Sequence, residues 1–547
     1  MSTTCLDLRN IVAAVGISSG IVYFYSHTLL GLTGYPRAVF VIDAVILICL
    51  MSAIRLIRRA SRELSQGRAE RRLLIYGAGD AGEMILRDIK ASGAGIYEPV
   101  GFVDDNPGKL GQRIHGVPVL GARRELRALV ASTSADEVLI AIPSGGPDVR
   151  REVVRELSAF KGRITTLPSL DDILDGRVSV DRIRSLALED LLARTPVGLD
   201  TAPLRALIAG KRVLVTGAGG TIGSELSKQI AAFGPSRLTV LDRYENTLFS
   251  LQQQLTSRFP ALSLHAVIAD VTDTSRVETV FAEQAPQIVF HAAAHKHVPL
   301  MEASPCEAVK NNVMGTRVVA AAALRHHVAR FILISTDKAV NPTSVMGATK
   351  RIAEMLLRHL SEQQQTHFVT VRFGNVLGSN GSVVPLFLEQ IQSGGPVTVT
   401  HPDVRRYFML ISEAVQLVLH AAALDGRGCA YVLDMGEQVR LVDLARDVIR
   451  LSGFLPDRDI PISFIGLRPG EKLEEELVGA DETAVPSPVK KILKLRSETA
   501  WSDREAGWEL QKLERLAGQG DREAVIRQLQ VLVPAFAPDV IQTALRA

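Results

Sequence analysis

The sequence has few cysteines and almost no net charge. Its 547 residues include four cysteines, Cys5, Cys49, Cys306 and Cys429, with no Cys-x-x-Cys pair and no histidine at metal-ligand spacing from them. Cysteines so far apart argue against a disulfide framework and against a zinc site, and they favour a reducing compartment. The formal net charge of +3 gives no electrostatic reason to expect nucleic acid as a partner.

Charged residues are also missing from a long stretch near the start. Ile11–Leu32 contains no Asp, Glu, Lys or Arg and is long enough to cross a bilayer as a helix. A second apolar run, Ala38–Ile54, carries Asp43 and is followed by seven arginines between 55 and 72, which places its end in the cytoplasm. We therefore expect a transmembrane helical hairpin over 1–60. A signal peptide or a buried core hairpin is the alternative, and the first of these lacks a small-residue cleavage site.

The remaining length fits two or three domains. The first is predicted over 61–165, where a strand at 73–76 precedes the glycine turn GAGDAG at 77–82 and the next strand ends at Asp104. Such glycines permit a tight turn at a helix N-terminus, and an acid at that distance binds ribose in dinucleotide folds. The pattern predicts a Rossmann-like domain. Because the fold alone explains the glycines, a bound nucleotide is left open here.

A linker over 166–205 leads to a second, stronger dinucleotide pattern in a domain predicted over 206–485, followed by a helical tail over 486–547. The strand 212–215 precedes glycines at three-residue spacing, and the next strand ends in Asp242, nineteen residues after Gly223. An acid there binds the ribose hydroxyls of NAD and disfavours a 2′-phosphate, although Arg243 leaves NADP open. A carboxylate after the third strand can reach the adenine, and small residues after the fourth leave room for the cofactor. The residues assigned to the cofactor from this pattern are Gly217, Gly220, Thr221, Ile222, Gly223, Asp242, Arg243, Asp270, Val271, Ala292 and Ala293.

The residues that carry chemistry follow the fifth predicted strand of this domain, 331–334. Thr336, Asp337 and Lys338 come just after it, at the carboxyl edge where open α/β sheets bind their ligands. An acid beside a base suits an elimination, because one group removes a proton from carbon while the other protonates the departing hydroxyl. An Asp-Lys pair in a loop is more often solvated surface, and its place after this strand is what favours catalysis.

Residues 205–480 resemble the extended short-chain dehydrogenase/reductase superfamily, and more narrowly the membrane-bound UDP-N-acetylglucosamine 4,6-dehydratases of bacterial polysaccharide and glycan synthesis. The motifs that carry the resemblance are TGAGGTIGSE at 216–225, HAAAHKHVPLME at 291–302, NNVMGT at 311–316, STDKAVNPTSVMGATKR at 335–351, RFGNVLGSNGSVVPLF at 372–387 and RPGEKLEEEL at 468–477. The resemblance implies that NAD(P)+ takes a hydride from sugar C4, that water is lost from C5 and C6, and that the hydride returns to C6. It also implies a UDP-sugar substrate, a bacterial inner-membrane location with the catalytic part in the cytoplasm, and a homo-oligomer, since superfamily relatives are often dimers.

The same resemblance implies roles for single residues. Lys338 corresponds to the base at C5, Asp337 to the acid for the C6 hydroxyl, and Thr336 to the hydrogen-bond partner of the C4 hydroxyl. Lys350 corresponds to the lysine that holds the nicotinamide ribose and lowers the pKa of nearby hydroxyls. The usual superfamily tyrosine is replaced by Met346, which cannot accept a proton. The base for C4 oxidation is therefore assigned to Lys350 or Asp337.

The substrate's diphosphate needs cations, and the guanidinium fork of arginine suits it. By motif these are Arg406 and Arg468, with Glu471 orienting an arginine or binding the uridine ribose and Asn375 contacting phosphate or sugar. Lys296 lies between two histidines, but no carboxylate completes a metal site there, and we assign it to the substrate or cofactor edge. No metal is expected.

The sequence thus predicts an α/β protein: a transmembrane helical hairpin and two Rossmann-like doubly wound parallel-sheet domains, the second with a small substrate-binding C-terminal subdomain. Two other functions stay open. A UDP-sugar 4-epimerase would normally keep the tyrosine that Met346 replaces. A non-catalytic, membrane-tethered nucleotide sensor is motivated by Met346 and by the additional N-terminal domain.

Overall fold

The architecture is taken from a computed structural model. It describes residues 14–22, 24–25, 38–39, 41–51, 53, 71–92, 96–143, 145–157, 160–167, 183–192, 200–363, 366–379, 381–497, 501–502 and 505–538. The chain divides into two compact units: the first combines Met1–Ser144 with Gly162–Ser185, and the second combines Gly145–Lys161 with Leu186–Ala547.

Near the start of the chain, helical residues are described at 14–22 and 41–51. Within the described ranges, no helix is both long enough and apolar enough to cross a membrane. The transmembrane hairpin predicted over 1–60 is therefore not supported by the described residues, and many of its positions lie outside them.

The first unit is built on a seven-stranded sheet. Its strands are β1 (Arg71–Tyr76), β2 (Tyr97–Val103), β3 (Arg113–Ile114), β4 (Val117–Gly121), β5 (Glu137–Ile140), β6 (Arg163–Thr166) and β7 (Arg184–Ser185), and its helices are α1 (Asp80–Ser92) and α2 (Leu126–Thr133). The strand order is β3-β4-β2-β1-β5-β6-β7. The pairs β2–β4, β1–β2, β1–β5 and β5–β6 are parallel. The central strand β1 is an apolar run whose last four residues are buried, as in parallel sheets. The Rossmann-like sheet predicted here is confirmed.

The second unit has more strands. In chain order they are β8 (Arg212–Thr216), β9 (Arg237–Asp242), β10 (Leu264–Ile268), β11 (Ile288–His291), β12 (Arg330–Thr336), β13 (His367–Phe373), β14 (Asn375–Val376), β15 (Val397–Val399), β16 (Arg405–Arg406), β17 (Phe408–Met409), β18 (Cys429–Leu433), β19 (Val439–Arg440), β20 (Ile462–Phe464), β21 (Glu482–Pro486) and β22 (Ile492–Ser497). Nine of them form one sheet in the order β10-β9-β8-β11-β12-β13-β18-β22-β21, and the others pair as β14–β17, β15–β20 and β16–β19. The strands from β10 to β18 are parallel. The strand order reverses between β8 and β11, the point at which such sheets bind ligands.

The helices of the second unit lie partly on the two faces of this sheet and partly outside it. They are α3 (Pro147–Glu156), α4 (Leu188–Leu192), α5 (Ala202–Ile208), α6 (Thr221–Ala232), α7 (Glu245–Arg258), α8 (Thr274–Gln284), α9 (Val298–Ala303), α10 (Pro305–Ala308), α11 (Gly315–Arg325), α12 (Val345–Gln363), α13 (Val383–Gln392), α14 (Ile411–Ala423), α15 (Leu441–Leu451), α16 (Leu510–Gln519) and α17 (Arg522–Leu532). Successive side chains of a strand point to opposite faces. Along β8, Val213 and Val215 accordingly enter one apolar cluster, whereas Leu214 enters the other.

A separate apolar cluster forms the small C-terminal subdomain. It joins Phe387 of α13 with Leu444 and Ile449 of α15 and with Val397 and Val399 of β15. This cluster lies outside the two that flank the large sheet. The chain therefore builds the predicted subdomain mainly from segments that follow β14, and Leu188 of α4 joins the same cluster.

The predicted boundary at 485 is wrong. It falls inside β21, and β22 pairs antiparallel with both β18 and β21, so the sheet continues to Ser497. Of the predicted tail 486–547, the described helices begin only at the π-helical turn Glu505–Glu509, followed by α16 and α17. The sequence could not show this because joining an existing sheet edge is a long-range event. The predicted linker 166–205 is likewise divided, with β7 in the first unit and α4 in the second.

Candidate active site

The turn after β8 is a cradle into which larger residues do not fit. Gly217 has φ +66°, and a Cβ there would lie 2.5 Å from the Ala293 nitrogen. A Cβ at Gly223 would lie 2.1 Å from the Gly217 carbonyl oxygen. Helix α6 begins at Thr221 with Gly220 as its N-cap. The positive end of the helix dipole faces this turn and favours a phosphate, so the cradle fits the diphosphate of a dinucleotide.

Asp242 lies at the end of β9, beside this cradle. Its Oδ2 accepts a hydrogen bond from the Gly219 N–H (2.8 Å), and its Oδ1 accepts one from the Tyr244 N–H (3.0 Å). Each carboxylate oxygen keeps a further acceptor position. Asp242 can therefore hold the glycine turn and still accept hydrogen bonds from ribose hydroxyls, as predicted from its spacing.

Arg243 and Asp270 form a pair next to Asp242. Arg243 Nη1 lies 3.6 Å from Asp270 Oδ2, and its Nη2 donates to Tyr244 Oη (3.0 Å) and lies 3.3 Å from His295 Nε2. Partial burial opposes ionisation of Asp270, but hydrogen bonds from Thr272 and the charge of Arg243 hold the pKa of that carboxyl below its usual range. The positive charge of Arg243 is thus matched by a carboxylate within the protein.

Small residues close the far side of the cradle. The Ala292 N–H donates to the Thr216 carbonyl oxygen (3.1 Å), which sets Ala293 against Gly217. Val271 packs on the start of α11, where a Cβ at Gly315 would lie 2.7 Å from Val271 Cγ2. Ile222 is partly buried beside them. These predicted cofactor residues therefore lie around one edge of the sheet.

The predicted catalytic residues meet where β12 ends. Asp337–Ala339 forms one turn of 3-10 helix directly after Thr336. Thr336 Oγ1 donates to Asp337 Oδ1 (2.8 Å), and Lys338 Nζ donates to the same oxygen (2.9 Å) and to Asn375 Oδ1 (3.1 Å). Asp337 is fully buried, and its Oδ2 has no hydrogen-bond partner among the described residues. That buried oxygen keeps its acceptor positions unfilled by the described residues.

Gly374 leaves room beside Asp337. A Cβ at Gly374 would lie 3.0 Å from Asp337 Oδ2 and 2.8 Å from the Tyr407 Cβ. A larger residue would therefore crowd the carboxylate oxygen that carries no partner. The absence of a side chain here avoids that crowding around the oxygen, which is itself buried.

Lys338 lies between two carboxylates, one of which was not predicted. Glu475 is 4 % exposed, and its Oε1 lies 3.6 Å from Lys338 Nζ. Burial of the ammonium favours loss of its proton, but the charges of Asp337 and Glu475 outweigh burial and hold the pKa of Lys338 above its ordinary value. Lys338 therefore rests as an ammonium in this arrangement.

Glu475 lies inside the 468–477 motif, in a run of three glutamates. The side chains of Glu474 and Glu476 are 63 % and 53 % exposed, whereas that of Glu475 is 3 % exposed. In the sequence, only membership of this motif pointed to Glu475. Because three glutamates are consecutive, the sequence does not show which of them is buried.

Lys350 extends from α12 toward β12. Its Nζ donates to the Ile334 carbonyl oxygen (2.7 Å). Burial of the ammonium lowers the pKa of Lys350 to about 8, against the opposing charge of Glu354. Burial and the charge of Lys350 also lower the pKa of His291 to about 3, so that this histidine is neutral. An amine of pKa about 8 exchanges protons readily near neutral pH.

Met346 is placed differently from the rest of the predicted catalytic set. It is 3 % exposed and belongs to an apolar cluster with Met301 and Val309 and with Leu513 of α16. Its thioether therefore contributes to packing between α12 and the C-terminal helices, and this position supplies no proton acceptor.

Arg406 and Glu471 join the Lys338 cluster from the other side. Arg406 is 5 % exposed; its Nη2 donates to Glu471 Oε1 (3.0 Å), and its Nε lies 3.9 Å from Glu475 Oε1. Both Nη1 hydrogen bonds go to backbone carbonyls, those of Arg405 and Leu473. Its predicted role as a diphosphate ligand stays a prediction.

The other two predicted substrate residues are Arg468 and Lys296. Arg468 is exposed, and its backbone N–H donates to Glu471 Oε2 (3.2 Å). Lys296 lies on the loop between β11 and α9. The structure thus joins Thr336, Asp337, Lys338 and Asn375 by hydrogen bonds, and Glu475 links them to the pair of Arg406 and Glu471.

A buried ion network supports this edge of the sheet and was not predicted. The Arg372 guanidinium donates to both oxygens of Glu354 (2.8 and 2.6 Å) and to Glu482 Oε2 (2.6 Å). Ser335 Oγ donates to Glu354 Oε1 (2.5 Å). Because Ser335 precedes Thr336, the network ties α12, β13 and β21 to the strand that carries the catalytic residues.

Comparison with known proteins agrees with this geometry. Residues 213–497 match a family described as polysaccharide biosynthesis protein, and residues 5–159 match one described as CoA-binding domain. The chain is 46 % identical to the probable polysaccharide biosynthesis protein EpsC of Bacillus subtilis over 425 residues, which is 78 % of this chain and 71 % of that protein. It belongs to the polysaccharide biosynthesis protein family. It is also 42 % identical to the capsular polysaccharide biosynthesis protein CapD of Staphylococcus aureus over 491 residues, 89 % of this chain and 82 % of that one.

A third relative has a different description. The chain is 33 % identical to a UDP-glucose 4-epimerase of Rickettsia canadensis over 285 residues, 51 % of this chain and 80 % of that protein. The predicted membership of the extended short-chain dehydrogenase/reductase superfamily is confirmed, and the protein is an enzyme of its epimerase and dehydratase type.

Proposed function

We propose that this enzyme is a UDP-N-acetylglucosamine 4,6-dehydratase that acts in bacterial polysaccharide synthesis. The observation that carries the proposal is the contact between the buried Asp337 and Lys338 at the carboxyl edge of β12, 2.9 Å apart. An elimination needs an acid and a base within reach of neighbouring carbons. Epimerisation at C4 needs no acid for a departing hydroxyl.

The cradle after β8 supports NAD as the cofactor. The glycine turn and the start of α6 would hold the diphosphate, Asp242 the adenosine ribose and Lys350 the nicotinamide ribose. Arg243 is already paired with Asp270, which leaves less net positive charge for the 2′-phosphate of NADP. When bound, NAD+ accepts the hydride from sugar C4 and returns it to C6.

The protons can then be followed through the side chains. Asp337 Oδ2 takes the proton of the C4 hydroxyl and later gives it to the departing C6 hydroxyl, which leaves as water. Lys338, as the neutral amine, takes the C5 proton, and its ammonium, whose hydrogens exchange with solvent, later gives a proton to C5. Thr336 positions the C4 hydroxyl. This sequence needs no proton acceptor at Met346.

Isotope incorporation tests the proposal. Purified enzyme incubated with UDP-N-acetylglucosamine in deuterated water is expected to yield a 4-keto-6-deoxy product that has lost water and carries deuterium at C5, measured by mass spectrometry and NMR. Recovery of intact substrate mixed with its C4 epimer would show that no elimination occurs.

A UDP-sugar 4-epimerase is the second candidate, favoured by the identity to the Rickettsia canadensis protein. The apolar surroundings of Met346 count against it, because that position lacks the tyrosine on which such epimerases depend. The same incubation separates the two functions.

We also propose that the enzyme is held at the bacterial inner membrane with its catalytic part in the cytoplasm, and that it forms a homo-oligomer. The arginines between 55 and 72 support the orientation. Fractionation of cells and cross-linking of the purified protein test these two points.

A further inference from the structure

The elimination proposed above requires a neutral Lys338, yet the structure surrounds this amine with negative charge. Its Nζ lies 2.9 Å from Asp337 Oδ1 and 3.6 Å from Glu475 Oε1. An ammonium cannot take a proton from carbon. One Lys338 proton must therefore leave the amine before the C5 proton is removed.

Backbone contacts hold Glu475 beside Lys338. Its carbonyl oxygen accepts a hydrogen bond from Gln438 Nε2 (2.7 Å), and two residues earlier the Leu473 carbonyl oxygen accepts one from the Arg405 N–H (2.8 Å). These backbone contacts fix the segment against β16 and turn the Glu475 side chain inward. Its Oε2 is buried and has no hydrogen-bond partner among the described residues.

The two carboxylates beside Lys338 differ in the hydrogen bonds that they accept. Asp337 Oδ1 accepts hydrogen bonds from both Thr336 and Lys338, and such bonds stabilise a carboxylate. Among the described residues, Glu475 is approached by Lys338 at 3.6 Å and by Arg406 at 3.9 Å, and Arg406 Nη2 is bound to Glu471. Glu475 Oε2 therefore keeps its acceptor positions unfilled by the described residues.

We propose that Glu475 is a positioning residue that takes one proton from the Lys338 ammonium and so provides the neutral amine for the C5 step. An N–H bond of Lys338 breaks and an O–H bond on Glu475 forms, with no change in the total charge of the pair. Lys338 then takes the C5 proton and later gives a proton of its ammonium to C5, while Glu475 keeps its proton until the product has left. The inference rests on the proposed dehydration.

The test compares Glu475→Gln with Glu474→Gln, an identical change at the exposed neighbour. In the wild type and in Glu474→Gln the proton stays within the pair, so kcat is expected to be nearly independent of pH around neutrality. In Glu475→Gln the Lys338 proton must leave to solvent. Its kcat is expected to fall at least about 100-fold near neutral pH and to rise about tenfold per pH unit.

Two results would overturn the proposal. One is a wild-type pH profile in Glu475→Gln. The other is a kcat that rises with pH in both proteins, over a lower pH range in Glu475→Gln than in the wild type. That result would mean that Glu475 acts only through the effect of its charge on the pKa of Lys338. Thermal melting of the full-length variants identifies any that have lost their fold, and Glu475→Asp, which retains a carboxylate, is expected to recover the flat profile.

A second measurement needs no substrate. Competitive acetylation of the full-length proteins across pH, followed by peptide mass spectrometry, reports the reactivity of the Lys338 amine. The reactivity is expected to vary little with pH in the wild type and to rise about tenfold per unit in Glu475→Gln. Equal slopes in both proteins would reject the role of Glu475. Different slopes without any turnover of UDP-N-acetylglucosamine would reject the proposed function and leave the proton transfer standing.

Discussion

An aspartate ends the second strand of the dinucleotide pattern in each of the two sheets, and each one holds its own glycine turn. Asp104 Oδ2 accepts the Ala78 N–H at 2.8 Å, and Asp242 Oδ2 accepts the Gly219 N–H at 2.8 Å. Asp104 is also paired with Lys109 Nζ at 3.1 Å, whereas Asp242 has no ion pair within the described part of the chain. The contact between aspartate and glycine turn stabilises the turn in both sheets. The carboxylate of Asp242, without an ion pair among the described residues, can in addition accept hydrogen bonds from a ribose.

The two sheets also differ where their strands end. In the first, β5 runs into the apolar sequence Ala-Ile-Pro at 141–143. In the second, β12 runs into Thr336, Asp337 and Lys338, which bond to one another. The same fold thus provides a ligand edge twice, and the side chains for proton transfer occur at one of these two edges.

The largest effect is expected from a substitution that removes the acid at that edge. Asp337→Asn should lower kcat with UDP-N-acetylglucosamine by about 10²- to 10⁴-fold, because the amide can neither accept the C4 proton nor give one to the C6 hydroxyl. The matched change in the first sheet, Asp104→Asn, should leave kcat unchanged. Steady-state kinetics on both variants measures the contrast, and equal losses would erase the distinction between the sheets.

Replacing the buried cation near β12 should stabilise the protein. Burial depresses the pKa of Lys350 from 10.5 to about 8, so below pH 8 the folded state carries an ammonium that it disfavours. Lys350→Met is expected to raise the free energy of unfolding at pH 7 by on the order of 3 kcal/mol. The gain should shrink as pH rises above about 8, because the folded wild type then sheds the proton before the unfolded chain does.

Denaturant unfolding at several pH values checks this prediction, with Lys211→Met at an exposed position as control. A gain that does not depend on pH would show that the protonation of Lys350 is not its origin.

Cofactor affinity should separate the two aspartates directly. Asp242→Ala is expected to weaken NAD binding by about 1.5–3 kcal/mol, the range for a hydrogen bond to a charged group. Asp104→Ala should not alter the affinity of this site, because Asp104 belongs to the other sheet. Titration calorimetry with NAD decides the point, and a weakened affinity in Asp104→Ala alone would reverse the assignment.

The smallest effect concerns the ion pair of the first sheet. Lys109→Met should cost at most about 1 kcal/mol of stability, because the pair is partly exposed to solvent. Its loss should also raise the pKa of Asp104, since hydrogen bonds from Asn106 and Ala78 and the contact with Lys109 lower that pKa against partial burial. Thermal unfolding and NMR titration measure the two changes. A larger loss would mean that Lys109 does more than pair with Asp104.

Much of the site could be predicted because its signals are local. A glycine turn, the acid at the next strand end and a polar triplet after a buried strand each occupy a few consecutive residues. The structure places Asp242, Thr336 and Asp337 where those patterns implied. The direction in which a residue of an irregular segment points has no such periodicity, and Glu475 was missed for that reason.

The sequence by itself determined the two parallel sheets, their glycine turns and the residues at the strand ends, because strand and helix periodicities are patterns of consecutive residues. Only the tertiary structure decided that β22 extends the second sheet, that Met346 is packed under the C-terminal helices, and that one glutamate of three reaches Lys338. These depend on contacts between distant segments, whose burial and charge no local pattern records. For the predicted transmembrane hairpin, the described residues contain no helix that is both long enough and apolar enough to cross a membrane.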